Sequence, residues 1–206
     1  MSAENLGAGH TPSPNEQGSS ARGPSASSII LGRISYYDGS MEAHAHHRHG
    51  AHAHLKMAVL TASDTRTPET DESGRLVKEL LEGAGHVVTR YEVLADDPDR
   101  IRQAATESLA AVDGLIITGG TGIAPRDSTI EALRPMLTKE LEGFGELFRM
   151  LSYQEIGSAA MMSRALAGIS HDKIVVALPG SPAACRLAME KLLIPELGHI
   201  RHLLRS

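Results

Sequence analysis

Cysteine is almost missing from this chain: Cys185 is the single one in 206 residues. No intrachain disulfide can form, so the fold must hold by packing, and a reducing compartment suits it. Tryptophan is absent and aromatic residues make up 3% of the chain, so the core must be aliphatic. Basic residues do not dominate: 20 Lys and Arg stand against 25 Asp and Glu, for a net charge of −5. That balance argues against nucleic acid as a non-specific partner. No apolar run is long enough to span a membrane. The first residues show no charged-then-apolar leader pattern. The expectation is a cytoplasmic protein with neither a membrane nor a nucleic-acid partner. What remains is ordinary globular composition, 41% hydrophobic and 22% charged. The length fits one domain with room for a tail.

The tail is read over residues 1–55. From Met1 to about Ser28 it is Gly, Ser, Pro, Ala, Asn and Glu with hardly any large apolar residue. Burial there cannot offset the ordering entropy, so disorder is expected. Ile29 to Ile34 reads as a weak docking strand or as nothing. Residues 42–54 hold six of the eleven histidines. Neutral imidazoles bind Zn or Ni, but these have no closed ligand spacing of the structural-zinc kind. A flexible tract with incidental metal affinity is the preferred reading.

The folded domain is expected over residues 56–206. Lys56 to Thr61 reads as a buried strand that ends in the polar loop Ala62 to Thr67. A helix follows from Thr70 or Asp71 to Glu82, with Leu76, Val77, Leu80, Leu81 and Ala84 on one stripe. His86 to Leu94 alternates as a second strand. Asp97 with Pro98 after it is an N-cap followed by a first-turn proline, opening a helix with Ile101, Ala105, Leu109 and Val112 on one face. The stretch that organises the rest is Leu115-Ile116-Ile117-Thr118-Gly119-Gly120-Thr121-Gly122. It is a short β-branched run that stops in a glycine turn. Such a turn lets backbone N–H groups approach a phosphate, and Arg126-Asp127 beside it suggests anion contact with metal or acid–base work. Ser128 and Glu131 form a capping-box pattern, so a helix is expected from Ser128. Pro135 ends or kinks it.

Phe144 and Phe148, four residues apart, are read as helix packing. Ser158 to Ile169 is ambiguous between helix and strand. Lys173 to Leu178 is a buried strand, followed by Pro179-Gly180-Ser181-Pro182, with Ser181 as N-cap. Pro195 is expected to break the last helix. Strands and helices alternate through the domain, which implies a three-layer αβα fold with a mostly parallel sheet. The strand ends at Thr61, Leu94, Ile117 and Leu178 then share one edge. Ligands in open α/β sheets bind outside that edge. Its loops carry Ser63, Asp64, Asp97, Thr118 to Asp127, and Gly180-Ser181.

The ordered set Thr118-Gly119-Gly120-Thr121-Gly122, Arg126-Asp127-Ser128-Thr129, Lys139-Glu140, Gly143-Phe144-Gly145-Glu146, Ser163-Arg164-Ala165 and Pro179-Gly180-Ser181-Pro182 resembles the molybdopterin-binding MoaB/MogA family, its MoaB branch in particular. The resemblance covers about Lys56 to Ser206. It implies a role in molybdenum cofactor biosynthesis and, in enzymatic members, adenylylation of molybdopterin by Mg-ATP with release of pyrophosphate. By position it makes Asp127 one catalytic carboxylate and Asp97 the other, with Asp96 one residue away as the alternative. Both carboxylates would meet Mg²⁺ through ATP. Ser63, Asp64, Thr118, Gly119, Gly120, Thr121, Gly122, Glu140, Ser163, Pro179, Gly180 and Ser181 match positions lining the family pocket. Glu140 would accept hydrogen bonds from the pterin. A homo-oligomer, trimer or hexamer, is also implied. The competing reading is a molybdopterin carrier or scaffold without turnover.

Overall fold

The computed structural model describes residues 54–206. The expectations for the tail and for all but the last histidine of its tract lie outside the described residues. Six strands form one sheet: β1 (Lys56–Ala62), β2 (Val87–Leu94), β3 (Gly114–Thr118), β4 (Lys139–Glu140), β5 (Leu166–Ser170) and β6 (Lys173–Leu178), in the order β2-β1-β3-β6-β5-β4. The neighbours among β2, β1, β3 and β6 pair in parallel, whereas β5 pairs antiparallel with both β6 and β4. The sheet is thus mixed and mostly parallel, as expected.

Side-chain alternation sends successive residues of each strand to opposite faces. Met57 and Val59 of β1, Ile116 of β3 and Ile174 and Val176 of β6 face one core. Helices α1 (Glu72–Gly83) and α4 (Glu142–Ile156) close it with Val77, Leu81, Phe144 and Phe148. The Phe144 and Phe148 rings stack with centroids 6.2 Å apart. Ala58, Leu60, Leu115, Ile117 and Val175 face the opposite core. There α2 (Pro98–Leu109) and the five-residue α3 (Thr129–Leu133) contribute Ile101, Ala105, Ile130 and Leu133. Nearly every residue of β1, β3 and β6 is buried, which explains their unbroken apolar runs.

The ambiguous segment divides. Gly157–Met162 is a 3₁₀ turn and Leu166–Ser170 is β5. A five-residue apolar run carries no period long enough to separate the two states. Pro195 does not break the last helix. Helix α5 (Pro182–Ala188) passes into a π-helical turn, Met189–Leu193, and on into α6 (Ile194–Arg205). The wider π turn stands just before Pro195, where a proline removes an N–H and crowds the preceding turn.

Register brings the strand ends level. Thr61 lies opposite Val93 on one side and Thr118 on the other, and Thr118 lies opposite Leu178. The loops after β1, β2, β3 and β6 therefore leave the sheet at one edge.

Candidate functional site

Those four loops enclose a cleft of about 430 Å³. Ser63, Asp64, Thr65 and Arg66 enter it from the loop after β1, and Asp96 from the loop after β2. Gly119, Gly120, Thr121, Gly122, Arg126 and Asp127 follow β3, and Pro179, Gly180 and Ser181 follow β6. Ala159, Met162, Ser163 and Arg164 close the far side. The size suits a heterocycle with phosphates.

The glycine loop needs its glycines. Gly119 and Gly120 have φ of +85° and +59°. A Cβ on Gly119 would collide with the Ala62 carbonyl, and one on Gly120 with Thr129 Oγ1 and Asp96 Oδ1. Backbone hydrogen bonds fix the ends of the loop: Gly119 N–H donates to Leu178 O at 3.0 Å and Thr129 N–H to Gly120 O at 2.9 Å. Arg164 then clamps the far end, donating from Nε to Thr121 O at 2.8 Å and pairing with both Glu131 oxygens at 2.6 and 3.1 Å. The capping box therefore does not form. Ser128 stands at the N-cap position of α3 without a side-chain cap bond, its ψ of 1° lying outside the extended backbone of a cap, and Glu131 is engaged by Arg164. With five residues, α3 has little dipole to offer, so anion contact falls to loop N–H groups and arginines.

Three acids meet the cleft. Asp64 Oδ1 accepts the Asp96 N–H at 3.0 Å. Asp127 Oδ2 accepts the Ala124 N–H at 3.2 Å. Burial pushes the Asp96 carboxyl above the usual range, and the charges of Asp127 and Asp64 push it further; the Ser128 N–H and Arg126 offset this only in part. Asp96 Oδ1 is buried without a hydrogen-bond partner among the described residues.

Beneath the cleft lies a second, closed network. Asp71 is fully buried. Its carboxylate accepts from Thr61 at 2.6 Å, Tyr91 at 2.8 Å, Ser73 at 3.1 Å and the Gly74 N–H at 3.0 Å. Burial alone would raise its pKa, but the four donors lower it below the usual carboxylate value. Tyr91 is raised in turn, by burial and by its bond to Asp71. Thr118 Oγ1 joins this network, 3.2 Å from Thr61 Oγ1 and 3.4 Å from Ser73 Oγ.

Three residues expected at the pocket lie elsewhere. Asp97 is exposed and N-caps α2, accepting the Arg100 N–H at 2.8 Å. Asp96, one residue earlier, lines the cleft instead, because the N-cap geometry turns Asp97 along the helix. Thr118 is buried under the loop in the Asp71 network. Glu140 sits on β4 at the far edge of the sheet and receives both Arg134 donors at 3.0 Å. The remaining expected residues line the cleft. Arg66, Arg126 and Arg164 also line it and were not placed among the site residues from sequence. The signal for Arg126 was its place beside the glycine turn. Met162 and Ala159 carried none, since their segment had no readable period.

A family profile described as "Probable molybdopterin binding domain" matches residues 58–199. Molybdenum cofactor biosynthesis protein B of Bacillus anthracis is 52% identical over 157 residues, covering 75% of this chain and 93% of that protein. The protein of the same name from Bacillus subtilis is 50% identical, covering 75% and 92%. This chain belongs to the MoaB/MogA family of molybdopterin-binding domains. Solved structures agree. A crystal structure of molybdenum cofactor biosynthesis protein B aligns with TM-score 0.73 at 52% identity, covering 74% of this chain and 97% of that one. The tungsten cofactor synthesizing protein MoaB from Pyrococcus furiosus aligns at 0.67 and 37% identity, covering 74% and 98%. The family resemblance read from the glycine loop and its following motifs is thus borne out.

Proposed function

We propose that this MoaB/MogA-family protein works in molybdenum cofactor biosynthesis and adenylylates molybdopterin. The terminal phosphate oxygen of molybdopterin attacks the α-phosphorus of ATP. A P–O bond forms there, the bond to the β-phosphate's bridging oxygen breaks, and pyrophosphate leaves with the electron pair. The observation that carries this reading is the pair Asp96 and Asp127 beside a glycine loop, with Arg66 and Arg126 in the same cleft. Glycine-loop N–H groups and the two arginines hold and orient phosphates. Ser63, Ser163, Gly180 and Ser181 face the rest of the substrate.

The residues fit a divalent cation. Asp96 has a buried, unpartnered carboxylate oxygen, and Gly120 lets it approach the glycine loop, since a Cβ there would collide with it. Mg²⁺ keeps several waters and binds through one or two carboxylates plus substrate phosphates, and this cleft offers such carboxylates. Asp96 and Asp127 would hold it, and bound there it would neutralise charge on the transferring phosphate.

Exposed Leu147, Met150, Tyr153 and Ile156 on α4 support a homo-oligomer, a trimer or hexamer, which light scattering measures. No described helix is long and apolar enough to cross a membrane. The test of the transferase is incubation with molybdopterin, ATP and Mg²⁺, with Asp127→Ala as control. Adenylylated product that vanishes in the variant is expected. Saturable pterin binding without product would favour a carrier.

A further inference from the structure

Among the described residues four buried side-chain polar atoms have no hydrogen-bond partner: Asp96 Oδ1, Ser128 Oγ, Thr129 Oγ1 and Arg201 Nε. Arg201, on α6, pairs with Asp113 just before β3, away from the cleft. The other three flank the glycine loop. Thr129 is fully buried, and its backbone N–H is already given to Gly120 O at 2.9 Å. Asp96 Oδ1 and Thr129 Oγ1 approach the same point, where a Cβ on Gly120 would stand. They are neighbours that do not bond to each other. Buried oxygens in a native fold are paired with protein, water or an ion, so three left open on Asp96 and on two residues that follow the loop, one of which gives its backbone N–H to Asp96, ask for an occupant.

One carboxylate and two hydroxyls make a hard, all-oxygen donor set that suits Mg²⁺ or Mn²⁺. A hydroxyl just after a glycine loop, combined with an aspartate from a neighbouring strand end, is how P-loop nucleotide enzymes hold Mg²⁺. We propose that Ser128 and Thr129 supply hydroxyl ligands to the divalent cation that Asp96 takes up. The inference rests on the reading that such a cation accompanies ATP. Asp96 Oδ1 and Thr129 Oγ1 both pack against Gly120, where a side chain would push them apart.

Binding of Mn²⁺ to the full chain, read by electron paramagnetic resonance with and without α,β-methylene-ATP, tests this without turnover. Asp96→Asn should abolish the site. Thr129→Val and Ser128→Ala should each weaken Mn²⁺ binding about tenfold, and Thr129→Ser, which keeps the hydroxyl, should bind as the parent does. Thermal unfolding identifies any variant that does not fold. If Thr129→Val fails to fold, Ser128→Ala against Thr129→Ser carries the comparison. Mn²⁺ affinity unchanged in the hydroxyl-free variants would overturn the proposal. So would the absence of Mn²⁺ binding by the parent chain with the nucleotide analogue. Hydroxyl-dependent Mn²⁺ binding in a protein that makes no adenylylated product would support the seat and remove the transferase reading alone.

Discussion

Asp71 and Asp96 serve the same cleft and stand in opposite surroundings. Asp71 has four donors, no exposure and a lowered pKa. Asp96 has a bare oxygen, two acidic neighbours and a raised pKa. A carboxylate that the fold has fully satisfied is a structural tie. Here it joins Thr61 at the end of β1, Tyr91 of β2 and the first turn of α1. A carboxylate that the fold leaves unsatisfied is held ready for something absent from the polypeptide. The difference separates two acids that composition and position treat alike.

Breaking the closed network should cost the most. Asp71→Ala strands four donors in the interior and should destabilise the fold by about 3 kcal/mol, read by urea unfolding. Less than about 1 kcal/mol would mean that the network contributes little beyond ordinary hydrogen bonds. Gly120→Ala forces a side chain into left-handed backbone and against Thr129 and Asp96. A loss of about 1–2 kcal/mol is expected, together with weaker nucleotide binding. Asp97→Ala removes an N-cap and should cost about 1 kcal/mol. Asp96→Asn should be the smallest and of opposite sign, leaving thermal stability equal or higher, since it removes a charge that burial and its neighbours disfavour.

The two acids also pull stability in opposite directions as pH changes. Asp71 has a lowered folded pKa, so its contribution is present above the ordinary carboxylate range and is lost as pH falls through the folded value. Asp96 has a raised folded pKa, so its ionised form costs stability at neutral pH and the cost disappears on acidification. Unfolding free energy against pH should therefore lose part of its acid limb in Asp71→Asn, while Asp96→Asn should lie closer to the parent at low pH than at neutral pH. Parallel curves would contradict both assignments.

Much of this was legible in the chain. Unbroken apolar runs at Leu60, Ile117 and Val176 marked strands buried on both faces, and turn chemistry at Asp97 and Ser181 marked helix starts. The glycine loop was plain because few other sequences put backbone so close to a ligand. The side on which each neighbour of that loop falls was not legible. Asp96 and Asp97 differ by one residue, and only the cap geometry decides which turns inward. Glu140 looked available until the fold brought Arg134 to it. Glu131 looked like the return half of a capping box until Arg164, distant in sequence, drew it away. The last depends on a partner brought in by tertiary structure, which local pattern does not carry.

The central claim is that the acid left bare beside Gly120 acts in the chemistry and its capping neighbour does not. Adenylylated molybdopterin formed by the parent chain, Asp96→Asn and Asp97→Ala, each with ATP and Mg²⁺, tests it most directly. The account predicts product from the parent and from Asp97→Ala, with a loss of about 100-fold or more in Asp96→Asn. Product retained by Asp96→Asn and lost in Asp97→Ala would contradict it.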